Sequence, residues 1–189
     1  MRILAFAATN SRASINRALL MHATSRLHSE IIPTAEVTFI DLNDYEMPIY
    51  SIDREVDTGI PAPAQDFFAR IGAADALLVS FAEHNGGVTA AWKNLFDWTS
   101  RIEMNVFQNK RMVILAASPG PRAGAGVLAN QEMLIPHFGG HIVSKLGIGK
   151  WAEAWDATAQ SLTRPKDIAA LGQALAALSP TPSPVHEKE

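Results

Sequence analysis

"DALLVSFAEHNGGVTAAWKNLFDW", residues 75–98, changes character twice. Residues 75–81 form an apolar run without polar alternation, as expected of a parallel strand covered on both faces. Glu83, His84 and Asn85 then turn the chain polar, and Gly86 and Gly87 loosen it. From 89 to 102 apolar residues return at helical spacing. A buried strand, a polar turn and an amphipathic helix are one half of a βαβ unit. The fold depends on whether that unit repeats.

It does. "RILAFAA" (2–8), "AEVTFIDL" (35–42), "KRMVILAAS" (110–118) and "HIVSKLGIG" (141–149) bring the strand candidates to five. Helical segments lie between them. "SINRALLMHATSRL" (14–27) starts at Ser14, a candidate N-cap, and "PAPAQDFFARIGAA" (61–74) carries Phe67, Phe68 and Ile71 on its apolar side. "AGVLANQEMLIPHF" (125–138) ends at Gly139 and Gly140. Such alternation implies an α/β domain with a doubly wound parallel sheet and helices on both faces. "NDYEMPIYSIDREVDTGIPAP" (43–63) shows no period and reads as a long loop. "DIAALGQALAAL" (167–178) is one more helix, so the domain is expected over 1–178, with the Pro-rich, charged 179–189 as a frayed tail. Trp92 and Trp98 share a helix with Leu95 and Phe96, an apolar arc wide enough for the core and for a second subunit.

Composition removes several classes of function. The 189 residues are 48% hydrophobic and 19% charged, ordinary for a folded domain. Sixteen basic and 19 acidic residues leave a net charge of -3, without the basic footprint of a nucleic-acid or membrane-surface binder. The apolar run near the start is too short for a secretory leader, and no stretch approaches a membrane span. No cysteine is present, which excludes disulfides, thiolate metal sites and thiol catalysis and fits the cytoplasm. None of the six histidines has metal-ligand spacing.

In a doubly wound sheet, ligands lie beyond the carboxyl ends of the strands, where the winding reverses. Three turns belong there. "ATNSRASIN" (8–16) places Thr9, Asn10, Ser11, Ser14 and Asn16 at a helix start beside Arg12, which suits either a phosphate cradle or a well-capped helix. "EHNGG" (83–87) offers backbone groups to a flat heterocycle, or is an ordinary Asn-Gly turn. "SPGPRAGAG" (118–126) runs into "GAGVLA", a formal match to G-x-G-x-x-A. It stands too far behind its strand, and no acid follows about 20 residues later, so a flexible loop against a ligand is the better reading.

Taken together, the three turns resemble the NADPH-dependent FMN reductase family, the flavodoxin-like group that includes quinone, azo-dye and chromate reductases. The family's G-S-x-R-x-x-S-x-N loop is matched by "ATNSRASIN", and its P-E-Y-N turn with the following L-K-N-A-x-D-W helix by "AEHNGGVTAAWKNLFDW". "DLNDYEMPIYSID" (41–53) is similar to its D-L-x-x-x-x-x-P-x-Y segment. Ala8 and Thr9 replace Gly-Ser, Ser11 stands in place of Arg with Arg12 beside it, Ala82 replaces Pro and His84 replaces Tyr.

The resemblance implies a flavodoxin-like sheet of order 2-1-3-4-5. It implies FMN, with its phosphate at Thr9, Ser11, Arg12, Ser14, Ile15 and Asn16. The ring would lie against Ala82, Glu83, His84, Asn85 and Gly86, with the stretch from Ser118 through Gly120 to Gly124 along its other edge. It also implies NADPH or NADH as hydride donor, a small-molecule electron acceptor entering in ping-pong order, no catalytic acid or base, and a homodimer or homotetramer. An electron carrier or sensor without NAD(P)H turnover is the alternative, although acidic flavodoxins carry far more negative charge. A domain that has lost its flavin is a third.

Overall fold

Each expected strand forms within two residues of its expected ends in the computed structural model, which describes residues 1–179. The tail expected over 179–189 lies outside the described residues apart from Ser179. Strands β1 (Arg2–Ala8), β2 (Glu36–Ile40), β3 (Ala76–Phe81), β4 (Arg111–Ala117) and β5 (His141–Ile148) make one sheet of order β2-β1-β3-β4-β5. All four pairings are parallel. β1, β3 and β4 are central and almost wholly buried, which is why they read as unbroken apolar runs. The edge strands β2 and β5 are partly exposed and carry Glu36, Thr38 and Lys145.

The connecting helices are α1 (Ile15–Arg26), α3 (Ala62–Ala73), α4 (Ala90–Thr99) and α5 (Ala125–Leu134), with α7 (Pro165–Ala176) after the sheet. Along β1, Leu4, Phe6 and Ala8 face α3, α4 and α5, where Phe67, Trp92, Phe96 and Val127 pack. Ile3, Ala5 and Ala7 face α1 and α7, where Leu19, Leu20, Leu171 and Leu175 pack. The alternation along one strand thus feeds two cores. α5 gives way after Leu134 to a 3-10 turn over Ile135–Phe138, where Pro136 interrupts the α-helical ladder. Among the described residues, no helix is long and apolar enough to cross a membrane.

One expectation needs correction. Residues 43–63 are not an irregular loop: they contain the end of a 3-10 turn, Leu42–Tyr45, and a short helix α2, Ile52–Thr58. Asp41 caps the first by accepting from Asn43 N, and Ser51 caps the second by accepting from Arg54 N. α2 buries none of its residues, so it has no apolar period to read. The stretch before it is tied to α4: Trp98 Nε1 donates to Pro48 O at 2.7 Å, and Tyr50 N donates to Asn94 Oδ1 at 2.9 Å. Trp92 and Trp98 are both buried within the chain itself. After β5, a single-turn helix α6 (Trp151–Ala154) and a small hairpin of β6 (Trp155–Asp156) and β7 (Ser161–Leu162) lead into α7. Trp151 and Trp155 stack at 4.6 Å there, on the α1 side of the sheet.

Candidate functional site

Strand register brings the three turns together. Ala8 of β1 lies opposite Phe81 of β3, and Phe81 lies opposite Ala116 of β4. Thr9, Ala82 and Ala117 therefore leave the sheet side by side. From β1 the winding runs outward to β2 on one side and, through β3, to β4 and β5 on the other, so the reversal falls at the β1/β3 boundary. Two buried side chains fix the arrangement. Thr89 caps α4 by accepting from Trp92 N at 3.2 Å, and its hydroxyl donates to Ala8 O at 3.0 Å. Asn16, 3% exposed, accepts from Ala117 N at 2.7 Å and from Ser80 Oγ at 3.0 Å, and its Nδ2 donates to Ala117 O at 3.1 Å. Its amide stitches the first helix to the ends of β3 and β4. The side-chain partners of Asn16 are therefore protein atoms.

The first turn is shaped for an anion. Thr9 Oγ1 accepts from Ser11 N at 3.2 Å, and Ser14 Oγ accepts from Asn16 N and Arg17 N. Among the described residues, the backbone N–H groups of Asn10, Arg12 and Ala13 meet no acceptor. Arg12 is exposed beside them, and α1 has no acid in its first turn. Free donors, a helix amino end behind Ile15 and a nearby guanidinium together suit a phosphate. Arg17, one turn on, pairs with Asp41 at 2.5 Å across a cleft of about 320 Å³ that opens beside Thr9 and Ser11. The Asn43 backbone N–H, then its side chain and Arg17, hold the Asp41 carboxyl below the usual carboxylate range.

The second turn is a tight two-residue hairpin. His84 N donates to Gly87 O at 2.9 Å and Gly87 N to His84 O at 3.0 Å, with Asn85 at φ 52° and Gly86 at φ 81°. Two left-handed residues in succession are what Asn-Gly supplies most readily. His84, Asn85 and Gly86 are exposed, and no atom would crowd a Cβ on Gly86 within 4 Å. Ala82 is buried beneath them. Glu83 points elsewhere: Val127 N donates to its carboxylate at 3.4 Å, at the amino end of α5. α5 has no side-chain cap on its own N-cap residue, Gly124, so Glu83 complements that helix from the neighbouring turn.

The third turn is ordered against β5, not a free loop. Ser118 N donates to Ile148 O, Lys150 N to Gly120 O and Trp151 N to Ser118 O. Gly147 and Gly149 make room for it, because a Cβ on either would strike the backbone oxygens of Ala123 or of Gly120 and Pro121. Gly124 has φ 71°, and a Cβ there would sit 2.5 Å from the Cβ of Ala116. Its role is close packing on β4. Gly120, with nothing within 4 Å of its missing Cβ, leaves the open edge.

A family model for NADPH-dependent FMN reductases matches residues 1–153, from β1 into α6. The chain belongs to this family. The probable NADPH:quinone oxidoreductase 2 of Oryza sativa subsp. japonica is 32% identical over 120 residues, which cover 64% of this chain and 57% of the rice protein. An NAD(P)H-dependent FMN reductase of Pseudomonas aeruginosa is 31% identical over 120 residues, covering 63% and 60%. The matched region thus spans less than two thirds of these relatives' length. Among solved structures, a flavoenzyme NAD(P)H:(acceptor) oxidoreductase from Paracoccus denitrificans superposes with a TM-score of 0.75 at 25% identity over 94% of both chains.

In this FMN reductase family member the three turns named from the sequence lie together, and several residues that support them had not been singled out. Thr89, Gly147 and Gly149 each position a turn that the reading singled out. The Gly-Ile-Gly at the end of β5 was the available signal for the last two. The Asn16 clamp joins residues 101 positions apart, beyond any local pattern.

Proposed function

We propose that the chain is an FMN-dependent NAD(P)H oxidoreductase that passes electrons to a small-molecule acceptor of the quinone, azo, flavin or metal-oxyanion class. One observation carries the reading within its family: a turn with free N–H donors and a turn with an exposed, uncrowded glycine edge emerge together at the winding reversal. The first fits a phosphate and the second a flat ring, the two ends of FMN. Bound there, FMN would supply two-electron chemistry between NAD(P)H and the acceptor.

The protein's share is binding and orientation. The free N–H groups of Asn10, Arg12 and Ala13, the hydroxyls of Ser11 and Ser14, the start of α1 at Ile15 and the charge of Arg12 receive the phosphate. Thr9 shapes that turn through Ser11 N. The peptide edges of Ala82, His84, Asn85 and Gly86 lie against the ring, and Ser118 and Gly120 border its far edge. Asn16, Glu83 and Gly124 act from behind, through the clamp, the α5 terminus and the packing on β4. No side chain need act as acid or base, and donor and acceptor use the open face in turn. α2 and the residue run before it leave Ile49, Ile52 and Val56 exposed at 75%, 57% and 78%, a face that we assign to a second copy of the chain. The proposed use of NAD(P)H as donor assigns the chain to the cytoplasm.

Asn85 tests the ring turn. Gly accepts the left-handed conformation and a β-branched residue resists it. Asn85→Gly is expected to retain FMN, read by flavin fluorescence quenching, and Asn85→Val to weaken it at least tenfold. Equal affinity in both variants would remove this turn from the site.

A further inference from the structure

The cleft of about 320 Å³ beside the first turn runs from β1 to the edge strand β2. Thr9 and Ser11 line it on the β1 side, and Asp41 and Asp44 on the β2 side. Leu20 and Met21 of α1 and Phe39 of β2 make its apolar wall. Phe39 lies opposite Ala5 of β1, which faces α1, so its ring stands on the α1 side of the sheet. Met21 and Phe39 are large apolar side chains left 48% and 44% exposed, and both belong to this one cleft. Arg17 spans it: Nη1 donates to Asp41, while Nε and Nη2 meet no acceptor among the described residues. Donors on the β1 side, carboxylates on the β2 side and an uncovered aromatic ring together describe a nucleotide. Its phosphate accepts hydrogen bonds, its ribose hydroxyls donate them and its base stacks. In dinucleotide-binding βαβ units an acid beyond the phosphate turn takes the ribose hydroxyls in the same way.

We propose that this cleft seats an adenosine 5′-phosphate group, carried by FAD or by the NAD(P)H donor. The inference rests on the flavin site above for its phosphate turn and adds a second nucleotide half to it. Phe39 takes the adenine face, with Leu20 and Met21 beside it. The Asp41 and Asp44 carboxylates accept from the ribose hydroxyls, and Asp41 is held for this by Asn43 and Arg17. Arg17 can keep Asp41 and meet a phosphate at once, because its guanidinium presents donors on two edges. FAD would set one phosphate in the turn assigned to FMN and its adenosine in the cleft. NAD(P)H would bring the same group to a chain already holding FMN.

The test titrates AMP onto the full chain, flavin-free and FMN-loaded, read by saturation-transfer NMR, and repeats this with Phe39→Thr. That substitution keeps a good strand former at an exposed position and removes the stack. AMP affinity is expected to fall about tenfold, the size of one lost base stack, with FMN affinity unchanged. Phe39→Leu repeats the comparison if Phe39→Thr does not fold. Two further readings give the source. If it is FAD, FAD binds at least tenfold more tightly than FMN, and Phe39→Thr removes the difference. If it is the donor, AMP binds the FMN-loaded chain, FAD binds no better than FMN, and KM for NADH rises about tenfold in Phe39→Thr. AMP that binds neither form, or binds the variant as well as the unmodified chain, would overturn the cleft assignment. AMP bound only without FMN, with FAD no tighter than FMN, would overturn it too, since AMP then occupies the phosphate turn alone. AMP bound through Phe39 by a chain that leaves FMN free would sustain the cleft and overturn the flavin site instead.

Discussion

Replacing Asn16 with alanine should unfasten the site from the sheet without touching its exposed surface. The amide makes three hydrogen bonds at 2.7, 3.0 and 3.1 Å, and its partners Ser80 and Ala117 are 0% and 3% exposed. At about 1 kcal/mol net for each bond, the substitution costs about 3 kcal/mol, and more where water cannot reach the groups left behind. For a domain of this size that is a fall in Tm of about 6–12 °C. Urea unfolding followed by tryptophan fluorescence reads the loss as a lower midpoint at constant slope. Ser80→Ala removes one of the three donors and should cost about 1 kcal/mol, since Ala117 N still serves Asn16 Oδ1. Combining the two should cost little more than Asn16→Ala alone, because the hydroxyl stranded by the first change is gone in the second. A loss below about 1 kcal/mol for Asn16→Ala, or full additivity of the pair, would refute the clamp.

Gly124→Ala combines a left-handed backbone with a 2.5 Å clash against Ala116 and should destabilise by about 2–4 kcal/mol, whereas Gly120→Ala, in open space, should leave the melting curve unchanged. Burial, and then the Asp66 carboxylate that accepts from the Tyr45 hydroxyl at 2.8 Å, push the Tyr45 phenol up. The folded chain thus keeps a proton that the unfolded chain releases near pH 10, so this contribution is whole below about pH 10 and fades as the pH climbs above it. The gap in urea midpoint between the native chain and Tyr45→Phe should accordingly shrink between pH 9 and 11, and a constant gap would contradict the assignment. Ile52→Glu with Val56→Glu should lower the solution mass by sedimentation equilibrium and leave the melting temperature of the subunit within about 1 °C, since neither side chain is buried in the chain.

Most of the architecture was legible because the signals were local. Apolar runs without alternation marked β1, β3 and β4, which are covered on both faces, and Ser14 and Asn85-Gly86 announced a cap and a turn that form as written. α2 was not legible for a physical reason. A helix that buries nothing carries no apolar stripe, and its Ile52 and Val56 look like loop residues until the backbone is seen. The three turns of the candidate site were legible, and the contacts that hold them were not. Asn16, Glu83 and Gly124 lie in the turns named from the sequence, yet each is engaged with a distant strand or helix through a contact 44 to 101 residues away or through packing on β4.

The most direct test of the central claim is the visible spectrum of the purified chain with added FMN, followed by NADPH under anaerobic conditions. The account predicts resolved flavin bands on binding and their bleaching when NADPH is added. Bands that form and do not bleach would contradict reductase turnover, and a spectrum of free FMN would contradict the site itself.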